Sequence, residues 1–142
     1  MYEHISQVRV RYAETDQMDI VYYGNYAQYF EVGRTESIRD LGFTYKEMEA
    51  MGVRMPVVEL KVRYLRPAHY DDLITIKTIL KELPQGHSIT FFNEVYNEKN
   101  KLLTTGEVTL YFISIETGKR TVIPHELQSK LAVYFPEEGL IL

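Results

Sequence analysis

Arg11-Tyr-Ala-Glu-Thr-Asp16-Gln-Met-Asp-Ile-Val-Tyr-Tyr-Gly-Asn25-Tyr-Ala-Gln-Tyr-Phe-Glu31-Val-Gly-Arg34 changes its period halfway along. Upstream of it, His4 to Tyr12 alternates, with Val8, Val10 and Tyr12 on one face and Arg9 and Arg11 on the other, which predicts a half-buried strand. Glu14-Thr15-Asp16-Gln17 breaks that alternation and opens a loop carrying three carboxylates: Glu14, Asp16 and Asp19. From about Tyr22 the spacing becomes helical, and Tyr26, Tyr29, Phe30, Gly33, Ser37 and Leu41 fall on one face. Glycine in a helix interior costs about 1 kcal/mol against alanine. Gly33 on the apolar stripe therefore predicts that a sheet passes very close to the helix there. Gly42 is placed to stop the helix.

The remaining chain is mostly strand. Thr44-Tyr-Lys-Glu47 has the capping-box pattern, with Gly52 closing a short helix. Pro56 to Tyr64 alternates Val58, Leu60, Val62 and Tyr64 against Glu59, Lys61 and Arg63. After a turn or edge segment at Arg66 to Asp72, strands are expected at Leu73–Leu80, Ser88–Tyr96 and Lys101–Ile115. Gln85-Gly86 and Asn97 to Asn100 supply the turns, and Thr105-Gly106 is a candidate bulge. Glu116-Thr-Gly118-Lys119 reads as a hairpin turn with a brief return at Arg120–Ile123. Pro124 to Phe135 is expected to form a C-terminal helix. Short turns between successive strands require antiparallel pairing. The expected architecture is α+β: an antiparallel β-sheet wrapped around one long central α-helix.

The chain of 142 residues is long enough for one domain with a substantial core, and residues 1–142 are read as a single unit. A net charge of −4 without a basic face argues against nucleic acid as partner. No apolar run approaches the roughly 20 residues that span a bilayer. Met1-Tyr-Glu-His-Ile-Ser lacks the features of a secretory signal, so a cytoplasmic location is expected. With no cysteine, thiol nucleophiles and disulfides are excluded. The four histidines, His4, His69, His87 and His125, show no metal-ligand spacing, so no metal and no resident cofactor are expected. No Gly-x-Ser-x-Gly elbow appears, which leaves Ser–His–Asp catalysis without support.

A carboxylate beside a helix N-terminus can activate water or attack a carbonyl while backbone N–H groups hold the oxyanion. It can equally well cap the helix, a role open to Asp16, Asp19 and Thr15. Composition alone leaves both roles open.

Tyr12-Ala-Glu-Thr-Asp16-Gln-Met-Asp-Ile-Val-Tyr22-Tyr-Gly-Asn25-Tyr26, with Tyr29-Phe-Glu31 and Arg34, resembles the signature of the 4-hydroxybenzoyl-CoA thioesterase and YbgC-like acyl-CoA thioesterase family, which has the hotdog fold. The resemblance continues through Val62-Arg-Tyr-Leu-Arg-Pro67-Ala68, Tyr70-Asp-Asp72 and Gly86-His-Ser88, and so covers nearly the whole chain in one register. It implies hydrolysis of an acyl-CoA, or an acyl-carrier-protein thioester, to free acid and thiol. It further implies Asp16 as nucleophile or general base and the Tyr23 backbone N–H as oxyanion donor. Gly24, next to that donor, leaves room for an acyl group to approach the helix end, and Asn25 and Tyr26 match the motif's Asn-Tyr and hold the loop–helix junction. Glu31 and Arg34 are expected to form a structural ion pair. Where the family often has Gly, this chain has Asp19. Where YbgC-like members have His, it has Tyr23, so only the backbone role transfers.

The resemblance implies CoA as part of the substrate, and its phosphates need cations. The stretch Leu83 to His87 lacks the Arg-Arg-Lys cluster of the 4-hydroxybenzoyl branch. Arg63, Arg66, Lys119 and Arg120 are therefore the candidates. Met18, Met55, Val57 and Val58 are candidate acyl-pocket residues. The open sheet edge and the resemblance both imply a homo-oligomer, a dimer or a dimer of dimers. Two other readings remain: an enoyl-thioester hydratase, which lacks a histidine between His4 and His69, and a non-catalytic acyl-thioester binder silenced by Asp19.

Overall fold

The predicted helical stripe lies at the centre of the core. Tyr26, Tyr29, Phe30, Gly33, Ser37 and Leu41 are all buried in the computed structural model, which describes residues 1–136. The elements are β1 (Tyr2–Arg9), α1 (Tyr26–Asp40), α2 (Tyr45–Ala50), β2 (Val53–Arg54), β3 (Val57–Tyr64), β4 (Leu73–Leu80), β5 (Ser88–Tyr96), β6 (Leu102–Tyr111), β7 (Ile113–Ser114) and α3 (His125–Ala132). Five strands form an antiparallel sheet in the order β1-β4-β5-β6-β3, and β2 pairs with β7 in a separate ribbon. α1 lies on one face of the large sheet, as in a hotdog fold. β5 and β6 show the expected period of two, with Ile89, Phe91, Asn93 and Val95 buried on β5 and their neighbours half-exposed.

Gly33 is where helix and sheet meet most closely. A Cβ there would run into Thr78 Oγ1 and stand 2.9 Å from Ile76 Cγ2, both on β4. The short helix is capped as expected, with the Thr44 hydroxyl accepting the Glu47 N–H at 3.0 Å. Gly52 closes it at a φ of +86°. The Glu116–Lys119 turn forms around Gly118, and Arg120 bridges back to Ile113. α3 begins just after Pro124.

Three expectations change. β1 ends at Arg9, and Tyr12 lies in a 3-10 turn (Tyr12–Glu14) with its side chain 77% exposed. The turn is fixed by Glu14 folding back on Arg11, so the chain leaves the strand before Tyr12 can reach the core face. Thr105-Gly106 is no bulge: Thr105 pairs with Arg63 and Gly106 with Val62 in unbroken register. Gly106 is instead required because a Cβ would meet the Phe30 ring at 2.5 Å. The irregularities lie at Val57/Glu59 and Val95/Tyr96. Finally, the apolar face read on β3 is largely uncovered in one chain, with Val58, Leu60 and Tyr64 exposed and only Val62 half-buried.

Candidate active site

The loop after β1 is pinned to the segment that precedes β4. Val10 N–H donates to the Asp72 carbonyl at 2.8 Å and Val21 N–H to the Ala68 carbonyl at 2.9 Å, while Ile20 bridges to His69. Within the loop, Thr15 bridges to Val21, Asp16 N–H donates to the Ile20 carbonyl at 2.9 Å, and Asp19 N–H donates to the Asp16 carbonyl at 3.0 Å. Residues 15–21 thus form a tight turn with Asp16 at one shoulder.

The three carboxylates of this loop have different surroundings. Glu14 is buried and saturated: its Oε1 accepts from Arg11 N–H and the Tyr29 hydroxyl, its Oε2 from the Arg11 guanidinium. Asp19 is exposed and sits at a φ of 61°, a left-handed position where aspartate is among the tolerated residues. Its side chain forms no hydrogen bond or ion pair among the described residues. Asp16 is half-buried, and its Oδ1 accepts the Met18 N–H at 2.8 Å. Its other oxygen takes part in no hydrogen bond among the described residues, so Asp16 is the carboxylate of the three that is both oriented and open.

None of them caps α1. The helix is entered through a 3-10 turn, Tyr23–Asn25, with Asn25 at the cap position and no side-chain cap bond. The Tyr23 and Gly24 N–H groups therefore donate to no acceptor among the described residues, leaving the orphan donors of a helix start. The Asn25 amide reaches back to the Glu14 carbonyl at 2.8 Å, which is the junction-holding role expected of it. Gly24 has a packing reason of its own. A Cβ there would stand 2.7 Å from the Tyr22 ring, so its small size accommodates Tyr22.

Beside this junction lies an apolar groove of about 270 Å³, lined by Ile20, Val21, Tyr23, Tyr26, Tyr64, Leu65, Arg66 and Pro67. Tyr64 donates its hydroxyl to the Tyr23 carbonyl at 3.0 Å, and its ring packs edge-on against Tyr26 at 5.5 Å. Burial pushes the Tyr26 and Tyr64 hydroxyls above the ordinary phenol range, so both stay protonated at neutral pH. Sequence reasoning missed this lining. Tyr64 and Leu65 carried a signal, an apolar strand face continuing into the Pro67 turn, but nothing in the pattern linked them to Asp16.

The cations divide. Arg66 lines the groove and donates to the Leu102 carbonyl at 3.0 Å. Arg63 sits in register with Thr105, on the sheet face away from α1, among Lys61, Lys77 and Glu94. Lys119 and Arg120 lie near the far end of β6, with Arg120 over the Tyr111 ring at 5.6 Å. That end is roughly 30 Å of strand from Leu102 at about 3.3 Å per residue. Within one chain, neither Arg63 nor the Lys119–Arg120 pair meets Asp16. Met18 is exposed, as are Val57 and Val58 on β3, and Met55 borders a separate cavity with Glu31, Arg34 and Tyr45. The expected Glu31–Arg34 ion pair does not form. Arg34 is buried with its Nε unpartnered, beside the Tyr45 hydroxyl.

Asp19 yields a direct check on the loop. Asp19→Gly relaxes the left-handed position and is expected to change stability by less than about 1 kcal/mol, leaving kcat within about twofold. Asp19→Val is expected to destabilise by about 1–2 kcal/mol, because a β-branched residue resists that conformation. Urea unfolding of the pair measures this, and a stable Val variant would show that the turn is not as described.

Comparison with known proteins gives the same assignment. The model of the thioesterase-like superfamily matches residues 10–131. YneP of Bacillus subtilis is 43% identical over 101 residues, 70% of this chain and 72% of that protein. The acyl-CoA thioester hydrolase YbgC of Escherichia coli O6:H1 is 31% identical over 120 residues, 84% of this chain and 89% of that one. The crystal structure of a DHNA-CoA thioesterase from Staphylococcus aureus superposes with a TM-score of 0.87 at 36% identity, covering 100% of this chain and 98% of that one. With the sheet wrapped on α1 and the Asp16 junction in the matched region, the chain belongs to the thioesterase-like superfamily, among the YbgC-like acyl-CoA thioesterases of the hotdog fold.

Proposed function

We propose that this protein hydrolyses the thioester of an acyl-CoA, with Asp16 as the acting carboxylate and the Tyr23 N–H as oxyanion donor. The observation that carries the reading is one open carboxylate oxygen on a fixed loop, beside a helix start whose first N–H groups have no acceptor. In the general-base route Asp16 takes a proton from water and the resulting oxygen attacks the carbonyl carbon. The oxyanion is held by Tyr23 N–H, and collapse expels the thiolate, which regains the proton from Asp16. In the nucleophilic route Asp16 forms an acyl anhydride that water then hydrolyses. In a single turnover in ¹⁸O-water, label in the Asp16 side chain with unlabelled product acid marks water attack on the aspartyl carbon of an anhydride, an outcome the general-base route cannot give because it sends all the label to the product acid.

For the substrate, the groove's tyrosines supply flat apolar walls with hydroxyl tips, which suit an aromatic acyl group. The Staphylococcus aureus relative named for DHNA-CoA supports the same choice. Arg66, the cation beside the groove, is assigned to the CoA side of the site. The test is a panel of DHNA-CoA, benzoyl-CoA and straight-chain acyl-CoAs, followed by thiol release. Turnover of the aromatic members is expected to lead. No release from any acyl-CoA would reject the hydrolase reading in favour of an acyl-thioester binder or a carrier-protein substrate.

The working form is assigned as a homodimer joined along β3. A sheet edge with Val57, Val58 and Leu60 exposed is a template for a second strand, and Tyr64 and Leu65 bring the groove to that same edge. Leu60→Glu is expected to convert a dimer into a species near the chain's 16.7 kDa on size-exclusion chromatography with light scattering. Activity is expected to fall with it. A variant that stays dimeric would place the interface elsewhere. No helix of the described residues is long and apolar enough to cross a membrane.

A further inference from the structure

We infer that Glu14 is a positioning residue for this reaction, setting the distance between the Asp16 carboxylate and the Tyr23 N–H. The inference rests on the assignment of those two groups in the proposed function.

A buried acidic side chain two residues from the acting carboxylate calls for a reason, since desolvating it without partners is strongly unfavourable. Its partners give the reason. The carboxylate accepts the Tyr29 hydroxyl of α1 at 2.9 Å and the Arg11 N–H at 2.9 Å, and it takes two contacts from the Arg11 guanidinium at 3.1 and 3.3 Å. The main-chain carbonyl of the same residue accepts the Tyr22 N–H at 2.9 Å and the Asn25 side-chain amide at 2.8 Å. Glu14 thus grips the strand exit, the body of the central helix and the 3-10 turn at once. The covalent path from Asp16 runs back through Thr15 to Glu14. From the Glu14 carbonyl one hydrogen bond leads to Tyr22, whose next residue carries the oxyanion donor. Carboxylate and donor are therefore linked by a short loop closed on a single residue.

The carboxylate itself takes no part in the chemistry, because both of its oxygens are occupied. Burial and the bond to Glu14 also push the Tyr29 hydroxyl well above the ordinary phenol range, so it remains a donor throughout the working pH of any thioesterase. What the arrangement supplies is rigidity. Exposed Arg11 screens one side of the carboxylate, and Tyr29, from the centre of the core, anchors the other.

Two variants test this alongside Asp16→Asn. Tyr29→Phe removes one hydroxyl and keeps the ring in the core. Glu14→Gln keeps an acceptor for Tyr29 and Arg11 N–H but turns an amide donor towards the guanidinium. Misplacing a reacting group by about 1 Å reduces rate by up to about 10²-fold. Each variant is expected to lower kcat by roughly 5- to 50-fold, with KM within about threefold, and the double variant to fall less than the product of the two. A purely structural role would lower the melting temperature and leave kcat per folded molecule unchanged, and that result overturns the inference. If Glu14→Gln does not fold, Tyr29→Phe decides alone, and an unchanged kcat in it overturns the inference. Should Asp16→Asn itself stay active, the failure lies with the proposed function. An inactive Asp16→Asn beside a fully active Tyr29→Phe rejects only the role of Glu14.

Discussion

Asp16→Asn is expected to lower kcat for thioester hydrolysis by about 10³-fold or more, with KM changed only a few-fold. General base catalysis by a positioned group is worth about 10²–10⁴-fold, and a carboxylate that serves as nucleophile is lost entirely. A 10³-fold fall corresponds to about 4 kcal/mol of transition-state stabilisation. The substitution is nearly isosteric, and the asparagine oxygen still accepts the Met18 N–H that fixes Asp16 Oδ1 now. Loop geometry and substrate binding should therefore survive while proton acceptance is lost. A residual rate above the uncatalysed one is expected, since the Tyr23 and Gly24 N–H groups remain in place. Asp19→Asn is the matched control. The Asp19 side chain is exposed and forms no hydrogen bond or ion pair among the described residues, so its variant should keep kcat within about twofold. Steady-state kinetics on one aromatic acyl-CoA settles both. An Asp16→Asn variant retaining more than a tenth of wild-type kcat would remove Asp16 from the mechanism, and with it the reason for the open carboxylate oxygen.

What was legible in the sequence divides along physical lines. The buried face of α1 was readable because a 3.6-residue period is imposed by the chain itself. The same holds for the Thr44–Glu47 cap, whose partners are three residues apart. The choice of Asp16 over its neighbours came from the family signature, while the contacts that set the three carboxylates apart, Glu14 saturated and Asp19 facing solvent, are not carried by any sequence pattern. Tyr12 failed because alternation continues in the sequence past Arg9 while the backbone is turned by Glu14 folding back on Arg11, a local contact that the alternation hides. Gly106 failed because a strand glycine means either a bulge or a close neighbour, and only the position of Phe30 decides which. On β3 the alternation was read as a covered face. In one chain that face is largely exposed, because alternation fixes which residues share a side of a strand and not what packs against it. The cations were the least legible, since Arg63, Lys119 and Arg120 are ordinary strand and turn residues whose distance from Asp16 is set entirely by topology.

Gly33 ties the stability of the fold to the geometry of the site, and Gly33→Ala is expected to destabilise the protein although alanine is the better helix former. Propensity alone would favour Ala by about 1 kcal/mol. The added methyl group, however, would overlap Thr78 Oγ1 and lie 2.9 Å from Ile76 Cγ2 and 3.5 Å from the Asn93 amide. These are not free ends of surface side chains. Ile76 and Thr78 are buried on β4, and Asn93 donates to the Thr78 hydroxyl at 3.1 Å in the middle of the sheet. Overpacking a filled core costs about 1–3 kcal/mol, so Ala should come out destabilised by about 1 kcal/mol. Gly33→Val, with a branched side chain, should lose about 3 kcal/mol or more, a fall in Tm on the order of 10 °C for a chain of this size. Thermal and urea unfolding of both measure it, and a neutral or stabilising Gly33→Ala would mean that α1 stands further from β4 than described. The 3-10 turn that leads directly into the helix carries Tyr23 N–H, and the helix itself carries Tyr29 in its first turn. An outward shift of α1 that relieves the methyl moves the Tyr23 N–H proposed as oxyanion donor and pulls on the Glu14 contact together. Gly33→Ala should therefore lower kcat by several-fold in fully folded protein, with KM nearly unchanged, while a core substitution remote from α1 of equal destabilisation leaves kcat intact.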